Sequence, residues 1–179
     1  DKILGFYEKY KNKLAFYNFE DYQKFIKTFD ENLIINAKGK YGFIHCFAKY
    51  AKDKMNYELL KTVIEDKTIN INLQDESNST ALIYASRYSN SSSSEEAVKM
   101  LLAHPDINTN LKDKDGFTAL MYASKFSNKE STEGTVKMLL EHRYIDVNIK
   151  NKDGVTALMI ACRYSNKKPI RKYYIYNSE

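Results

Sequence analysis

Histidine and cysteine, the residue types that most often bind metals or act as nucleophiles and proton carriers, are few in this sequence. The histidines are His45, His104 and His142, and the cysteines are Cys46 and Cys162. Metal sites need such ligands at short, defined spacings, and a nucleophilic cysteine needs histidine and amide or acid partners in a recognisable pattern. The sequence shows neither arrangement. We therefore predict no catalytic residue, no metal site and no cofactor.

The acidic residues and glycines recur in segments that indicate turns. Asp75, Asp113 and Asp153 each lie in such a segment, and most glycines fall there as well without forming a phosphate-binding loop. His104 and His142 stand 38 residues apart, near the ends of predicted helices, where a donor can satisfy terminal carbonyl groups. These positions predict structural roles. We expect a protein that is not an enzyme.

The same interval of 38 residues organises most of the chain. The segments that begin at Thr80, Thr118 and Thr156 read TALIYASRYSN, TALMYASKFSN and TALMIACRYSN. A second block, VKMLL, recurs in phase and begins at Val98 and Val136. A fixed period of this length is typical of stacked repeat units, in which each unit needs its neighbours to bury its apolar stripe.

Each unit predicts two helices separated by a polar loop and followed by a turn. Apolar and small residues at helical spacing follow Thr80 and form helix A, and Val98 begins the apolar stripe of helix B. Between them lies the A–B loop, in which Ser93 and Glu96 have the spacing of a capping box. The segment after helix B, here called the finger, carries Gly116, which can adopt a positive φ in a tight turn.

A family resemblance is carried by the finger and the start of helix A. The run Asp113-Lys114-Asp115-Gly116-Phe117-Thr118-Ala119-Leu120 resembles the ankyrin-repeat signature D-x-x-G-x-T-P-L-H-x-A, with Ala119 in place of proline and Met121 in place of histidine. The diverged earlier copy retains the histidine as His45, whose implied role is a structural hydrogen bond near the finger. The period exceeds the usual ankyrin length of about 33 residues mainly through a longer A–B loop.

The resemblance implies an all-α fold. We expect an ankyrin-repeat solenoid of helix-loop-helix units with hairpin-like fingers and a 38-residue period. Units with this long loop look like those in ankyrin proteins of giant DNA viruses that infect amoebae.

The period divides the chain into five predicted segments. They are an N-terminal capping unit, 1–41; a diverged repeat, 42–79; two full repeats, 80–117 and 118–155; and a truncated C-terminal repeat with a basic, aromatic tail, 156–179. The aromatic residues of the first segment could shield one end of the array. The alternative is a separate pair of interaction helices.

The net charge of +5 is concentrated in the tail. Residues 156–179 hold five basic residues and one acidic residue, whereas residues 1–155 carry a net charge of +1. We favour a tail that packs on the array through Ile170, Tyr173 and Tyr174. The alternative is that residues 167–176 dock on a partner or on nucleic acid, because cations beside aromatic rings suit phosphate contact and base stacking.

The resemblance also implies a recognition surface, made by the exposed edge of helix A and the finger tips. The matching positions are four cation-aromatic pairs and four finger residues: Lys49, Tyr50, Arg87, Tyr88, Lys125, Phe126, Arg163 and Tyr164, with Lys114, Phe117, Lys152 and Val155. Arginine and tyrosine are common at interface hot spots. Because the pairs recur in every unit, we favour rings that pack under the A–B loop and cations that are free at the surface.

By resemblance, the expected function is a non-enzymatic scaffold that binds another protein through its concave surface. We expect a monomer with no small-molecule substrate and no nucleic-acid partner. We also expect no membrane partner, since no stretch approaches the roughly 18 apolar residues of a spanning helix. The alternatives are a structural, self-assembling protein and a nucleic-acid-associated protein that uses the tail. The cysteine pattern indicates an intracellular, reducing compartment, the host cytoplasm or nucleus if the protein is viral.

The serine run 91–94 either connects and caps the helices or accepts phosphate.

Overall fold

Helices account for all the regular secondary structure in the described part of the chain. The computed structural model describes residues 43–52, 54–65, 70–127 and 129–164. These residues form the helices α1 (Phe43–Lys49), α2 (Lys54–Glu65), α3 (Ala81–Tyr88), α4 (Glu95–Leu102), α5 (Ala119–Phe126), α6 (Glu133–Glu141) and α7 (Ala157–Tyr164). Helices α1, α3, α5 and α7 begin at intervals of 38 residues and are the predicted helices A. The predicted all-α repeat solenoid is confirmed.

A threonine sets the start of helix A in three units. The Oγ1 atoms of Thr80, Thr118 and Thr156 accept hydrogen bonds from backbone N–H groups three residues later, at 3.2, 3.3 and 3.4 Å. Such an N-cap satisfies one of the donors that the first helical turn leaves without a partner. The threonine of the recurring TAL triplet therefore fixes where each of these helices begins.

The predicted capping box in the first long A–B loop is wrong by one residue. Ser94 is the N-cap of α4, and its side chain accepts from the N–H of Ala97 at 3.2 Å. Ser93 is buried and donates instead to the carbonyl of Ala48 at 2.6 Å. Four successive serines offer equivalent local caps, and docking of the loop on the preceding unit decides which one is used.

The core runs through the stack from unit to unit. Successive helices A pack on one another, each described helix B packs on its own helix A, and neighbouring helices B also meet. Ala85 and Ala123 are fully buried on the helix A faces and permit close approach, while Leu101 and Leu139 fill the core from helix B. Burial of each such leucine contributes about 1.5–3 kcal/mol.

The fingers are stacked turns joined by backbone hydrogen bonds. Asn78, Gly116 and Gly154 occupy equivalent positions with φ values of 58°, 82° and 76°. The N–H of Lys114 donates to the carbonyl of Ser77 at 2.8 Å, and one unit later Lys152 donates to Asp115 at 3.1 Å. The positive φ predicted at Gly116 is confirmed. Each finger also supports the next one.

Several predictions concern residues outside the described ranges. These are the capping unit 1–41, the packing of Ile170, Tyr173 and Tyr174, and the docking segment 167–176. The division into five segments stays a prediction. Within the described ranges, no helix is both long enough and apolar enough to cross a membrane.

Candidate functional site

The four predicted cation-aromatic pairs lie where each helix A ends and its A–B loop begins. Lys49, Arg87, Lys125 and Arg163 occupy the last turns of α1, α3, α5 and α7. A cation near a helix C-terminus interacts favourably with the helix dipole. The repeat period places the same two side-chain types at this point in successive units.

The cations and rings of neighbouring units alternate along the stack. Lys49 Nζ lies 5.2 Å from the ring centroid of Tyr50 in its own unit and 5.2 Å from that of Tyr88 in the next. Arg87 Cζ lies 5.0 Å from Tyr88 and 5.1 Å from Phe126. Lys125 Nζ continues the series, 5.5 Å from Phe126 and 5.8 Å from Tyr164. We call this row the cation-aromatic ladder; its members in order are Tyr50, Lys49, Tyr88, Arg87, Phe126, Lys125 and Tyr164.

The expectation that the cations are free at the surface is wrong for three of the four pairs. Lys49, Arg87 and Lys125 each contact rings from two successive units, because stacking brings the next ring beside the preceding cation. Each such contact contributes about 0.5–1 kcal/mol at an exposed site. The rings of Tyr88 and Phe126 inside the ladder are half-buried, whereas Tyr50 and Tyr164 at its two ends are 40% and 46% exposed. The ladder therefore contributes to packing and also presents polar and aromatic surface.

Two tyrosines beneath the ladder, Tyr84 and Tyr122, make contacts that were not predicted. Arg87 Cζ lies 5.1 Å from the ring of Tyr122, whose hydroxyl donates to Asp113 Oδ2 at 2.6 Å. One unit earlier, Tyr84 donates to Asp75 Oδ2 at 2.8 Å. Burial, followed by the hydrogen bond to Asp113, raises the pKa of Tyr122 well above the ordinary tyrosine value. These bonds tie helix A to the finger that precedes it.

The last described helix A and the finger that precedes it lack both members of this tyrosine-aspartate pair. Ile160 stands at the position of the tyrosine, and Asn151 stands at the position of the aspartate. Asn151 Oδ1 still accepts from the N–H groups of Asp153 and Val155 at 3.0 and 2.9 Å. An amide retains these turn bonds without burying a charge that has lost its phenol donor. Two features of the sequence point to this pair. The aspartate and the tyrosine stand nine residues apart in two successive copies, and both are replaced together in the next copy.

The structure brings some predicted finger residues to the ladder and leaves others apart. The ring centroid of Phe117 lies 5.3 Å from Lys125 Nζ and 5.1 Å from the ring of Tyr122. Val155 is half-buried and packs against the core. Lys114 and Lys152 are exposed at the finger turns. The surface is thus a ladder on helix A flanked by finger turns.

One carboxylate reaches the ladder from an A–B loop. Glu130 Oε2 lies 3.8 Å from Arg87 Nε, and both atoms are buried without a hydrogen-bond partner. The pair is therefore a close charge contact rather than a hydrogen bond. Glu130 could not be predicted from the repeat pattern, because the equivalent residue one period earlier is Ser92.

A family comparison agrees with this architecture. The family model described as ankyrin repeats, in three copies, matches residues 44–151 and 89–173. The chain belongs to the ankyrin-repeat family. No curated protein matches it.

The histidines of this ankyrin array have structural partners in the fold. His45 Nε2 lies 2.9 Å from the carbonyl oxygen of Leu73 in the finger, which confirms the structural role implied by the resemblance. His104 and His142 differ from prediction, since their Nδ1 atoms accept from the N–H groups of Asp106 and Tyr144. The chain turns just after helix B and presents an N–H there instead of a free carbonyl.

No group of three or more histidine, cysteine, aspartate or glutamate side chains among residues 43–52, 54–65, 70–127 and 129–164 is placed to hold a metal ion. Ankyrin repeats act typically as scaffolds that bind other proteins.

Proposed function

We propose that this ankyrin array is a non-enzymatic scaffold that binds another protein through the ladder and the adjoining finger turns. The observation that carries the proposal is the continuity of the ladder across four successive helices A. Arginine and aromatic side chains are enriched among the residues that dominate binding energy at interfaces. A row of such residues offers several anchors to one partner.

The stacking supports this proposal through preorganisation. Rings and cations that already contact one another lose little side-chain freedom when a partner arrives, so binding costs less conformational entropy. The finger turns are likewise joined by backbone hydrogen bonds, such as that from Lys114 to Ser77. A partner would meet a surface that is already formed.

Photo-crosslinking tests where the partner binds. A benzophenone amino acid is placed at Tyr50 on the ladder, at Lys152 on a finger turn, or at Leu140, which is exposed on helix B. We expect one protein to be crosslinked from Tyr50 and Lys152 and identified by mass spectrometry, with no crosslink from Leu140. Crosslinking of the same protein from Leu140 alone would place the binding surface on helix B and contradict the proposal.

We also propose a setting for this scaffold, that of a viral protein acting on host or viral proteins inside the infected cell. The long A–B loops, similar to those of giant-virus ankyrin proteins, support a viral source. The free, exposed thiol of Cys162 supports a reducing compartment such as the host cytoplasm or nucleus. Immunofluorescence of infected amoebae tests both points. Staining restricted to the medium or the cell surface would contradict them.

A second candidate function, self-assembly, is favoured by the last described helix. Leu158 and Met159 on α7 are 72% and 55% exposed, whereas Leu120 and Met121 at the equivalent positions of α5 are buried. A second copy stacked on α7 would cover them. Light scattering over a range of concentrations separates the candidates, since self-assembly predicts oligomers that Leu158→Lys dissociates and the scaffold proposal predicts a monomer throughout.

A further inference from the structure

The ladder carries cations that the described chain leaves largely without carboxylate partners. Among the described residues, Glu130 is the one acid that forms an ion pair with a ladder cation, and its partner is Arg87. Lys49 and Lys125, the cations one unit before and one unit after, contact rings instead. A cation that lies against a ring keeps its N–H donors available to an oxygen acceptor.

The sequence explains why, among the described residues, the central cation alone has a carboxylate partner. Glu130 belongs to the A–B loop that follows the ring next to Arg87, 43 residues further along the chain. The corresponding residue for Lys49 is Ser92, whose hydroxyl donates to the backbone carbonyl of Lys49 at 2.9 Å. The corresponding residue for Lys125 is Lys168, another cation. The repeat therefore supplies one carboxylate for three ladder cations.

The cations are close enough to act on one ligand. Lys49 Nζ and Arg87 Cζ lie 5.2 and 5.0 Å from the same ring centroid. They are therefore at most about 10 Å apart, near the Debye length of roughly 8 Å at physiological ionic strength. Arg87 and Lys125 share the ring of Phe126 in the same way. An extended peptide that follows the ladder passes all three charges.

We infer that the ladder takes an acidic, extended segment of a partner protein, with carboxylates that meet Lys49 and Lys125 on either side of the Arg87–Glu130 pair. This inference rests on the proposed function and specifies the chemistry of the partner. The ion pair between Arg87 and Glu130 shows, within the chain itself, that a ladder cation can hold a carboxylate while contacting two rings.

The surroundings favour an acidic peptide over nucleic acid. The rings of Tyr88 and Phe126 each already contact two cations, whereas base stacking needs an open ring face. The finger turns 74–78, 112–116 and 150–154 together hold four lysines and five acidic residues, and so add no net positive field for a phosphate backbone. The ladder cations themselves form a narrow row along the ends of successive helices A.

Fluorescence anisotropy with defined probes tests the inference on the full chain. The probes are a labelled twelve-residue peptide of alternating glutamate and alanine, its glutamine counterpart, and an oligothymidine of the same length. We expect the glutamate peptide to bind, with an affinity that falls as salt rises, and the other two to bind at least about tenfold more weakly. Tighter binding of the oligothymidine, or no binding of the glutamate peptide, overturns the inference.

A matched pair of variants locates the binding. Lys49→Met with Lys125→Met removes two ladder charges and keeps most of each side-chain stem, and should weaken binding roughly fivefold to tenfold. Lys99→Met with Lys137→Met makes the same charge change at exposed positions 38 residues apart on α4 and α6, and should leave the Kd within about twofold. Equal losses in the two double variants would show a non-specific charge effect and contradict the inference.

Two further measurements keep the outcomes distinct. Circular dichroism confirms that both double variants are folded, and Lys49→Arg with Lys125→Arg should retain binding because the charges remain. A partner crosslinked from Tyr50 that lacks acidic residues at the crosslink leaves the scaffold proposal standing and refutes the acidic-segment inference. A partner crosslinked only from Leu140 refutes both.

Discussion

At the scale of single residues, one matched pair of side chains joins helix A to the finger that precedes it. Asp113 uses Oδ1 to accept the N–H groups of Asp115 and Phe117 and uses Oδ2 to accept the hydroxyl of Tyr122. A buried carboxylate is tolerated when several donors satisfy it. The last described helix A and its preceding finger show the alternative solution, with Ile160 and Asn151 in the two positions.

Tyr122→Phe should destabilise the protein by about 1–3 kcal/mol, because it removes a donor from a buried carboxylate. Adding Asp113→Asn should recover part of that loss, as the combination in the last unit suggests. Urea denaturation of the two single variants and the double variant gives the coupling energy. Tyr164→Phe, at an exposed ring, is the control and should have little effect. Strictly additive losses would show that the pair is not coupled.

The raised pKa of Tyr122 gives a second prediction at this scale. Folding favours the protonated phenol, so its contribution to stability is complete below pH 10 and declines as the pH rises above 10, where the unfolded chain ionises first. The melting temperature of the wild type should therefore fall more steeply between about pH 10 and pH 12 than that of Tyr122→Phe. Parallel profiles would assign the alkaline loss to other tyrosines.

At the scale of elements, the long A–B loops behave as a second set of stacked turns. The N–H of Lys52 donates to the carbonyl of Ser92 at 3.1 Å. One unit later, the backbone N–H of Asn90 donates to the backbone carbonyl of Glu130 at 2.9 Å. Beneath them, Ser89 shares hydrogen bonds with Ser131 and Thr135. These bonds explain why the longer loop adds contacts between units.

Ser93→Ala should cost about 1–2 kcal/mol, because it removes the buried hydroxyl that satisfies the carbonyl of Ala48. Ser91→Ala, two residues away at an exposed position, should change the free energy of unfolding by less than about 0.5 kcal/mol. Guanidinium titrations of the two variants make the comparison. Equal effects would mean that the serine run does not dock as a turn. Ser93 is buried, so the alternative role of the serine run, acceptance of phosphate, does not extend to this residue.

Sequence alone predicted the elements better than the contacts between them. The TAL triplet and the 38-residue period located helices A and B, and the aspartate-rich turns located the fingers. The ladder was only half predicted, because Lys49 and Tyr50 are neighbours in sequence whereas Lys49 and Tyr88 meet through stacking. Glu130 and the choice of Ser94 as a cap were not predictable from local patterns, since tertiary docking decides both.

At the scale of the whole molecule, the described units form a linear stack in which the same position has different surroundings inside the array and at α7. Gly116 and Gly154 have nearly the same backbone conformation, with φ values of 82° and 76°. A Cβ on Gly116 would lie 2.8 Å from the backbone nitrogen of Lys152 in the next finger, whereas a Cβ on Gly154 meets nothing within 4 Å. Stacking alone distinguishes the two glycines.

Gly116→Ala should therefore destabilise the protein by at least about 1 kcal/mol more than Gly154→Ala. Both variants carry the cost of a left-handed alanine, about 1–2 kcal/mol, and only the first forces two finger backbones apart. Thermal denaturation under identical conditions gives the difference. Similar melting temperatures for the two variants would show that the fingers separate easily.

The ladder also bears on how such a protein can change in length. Where two neighbouring units meet in the ladder, a cation from one unit contacts a ring from the next. We call this contact a junction, and the described units supply the same two kinds of side chain to each one. Recombination that inserts or deletes a whole 38-residue unit in register therefore creates a junction of the same kind as those it interrupts. The array can grow or shrink over generations without redesign of its surface.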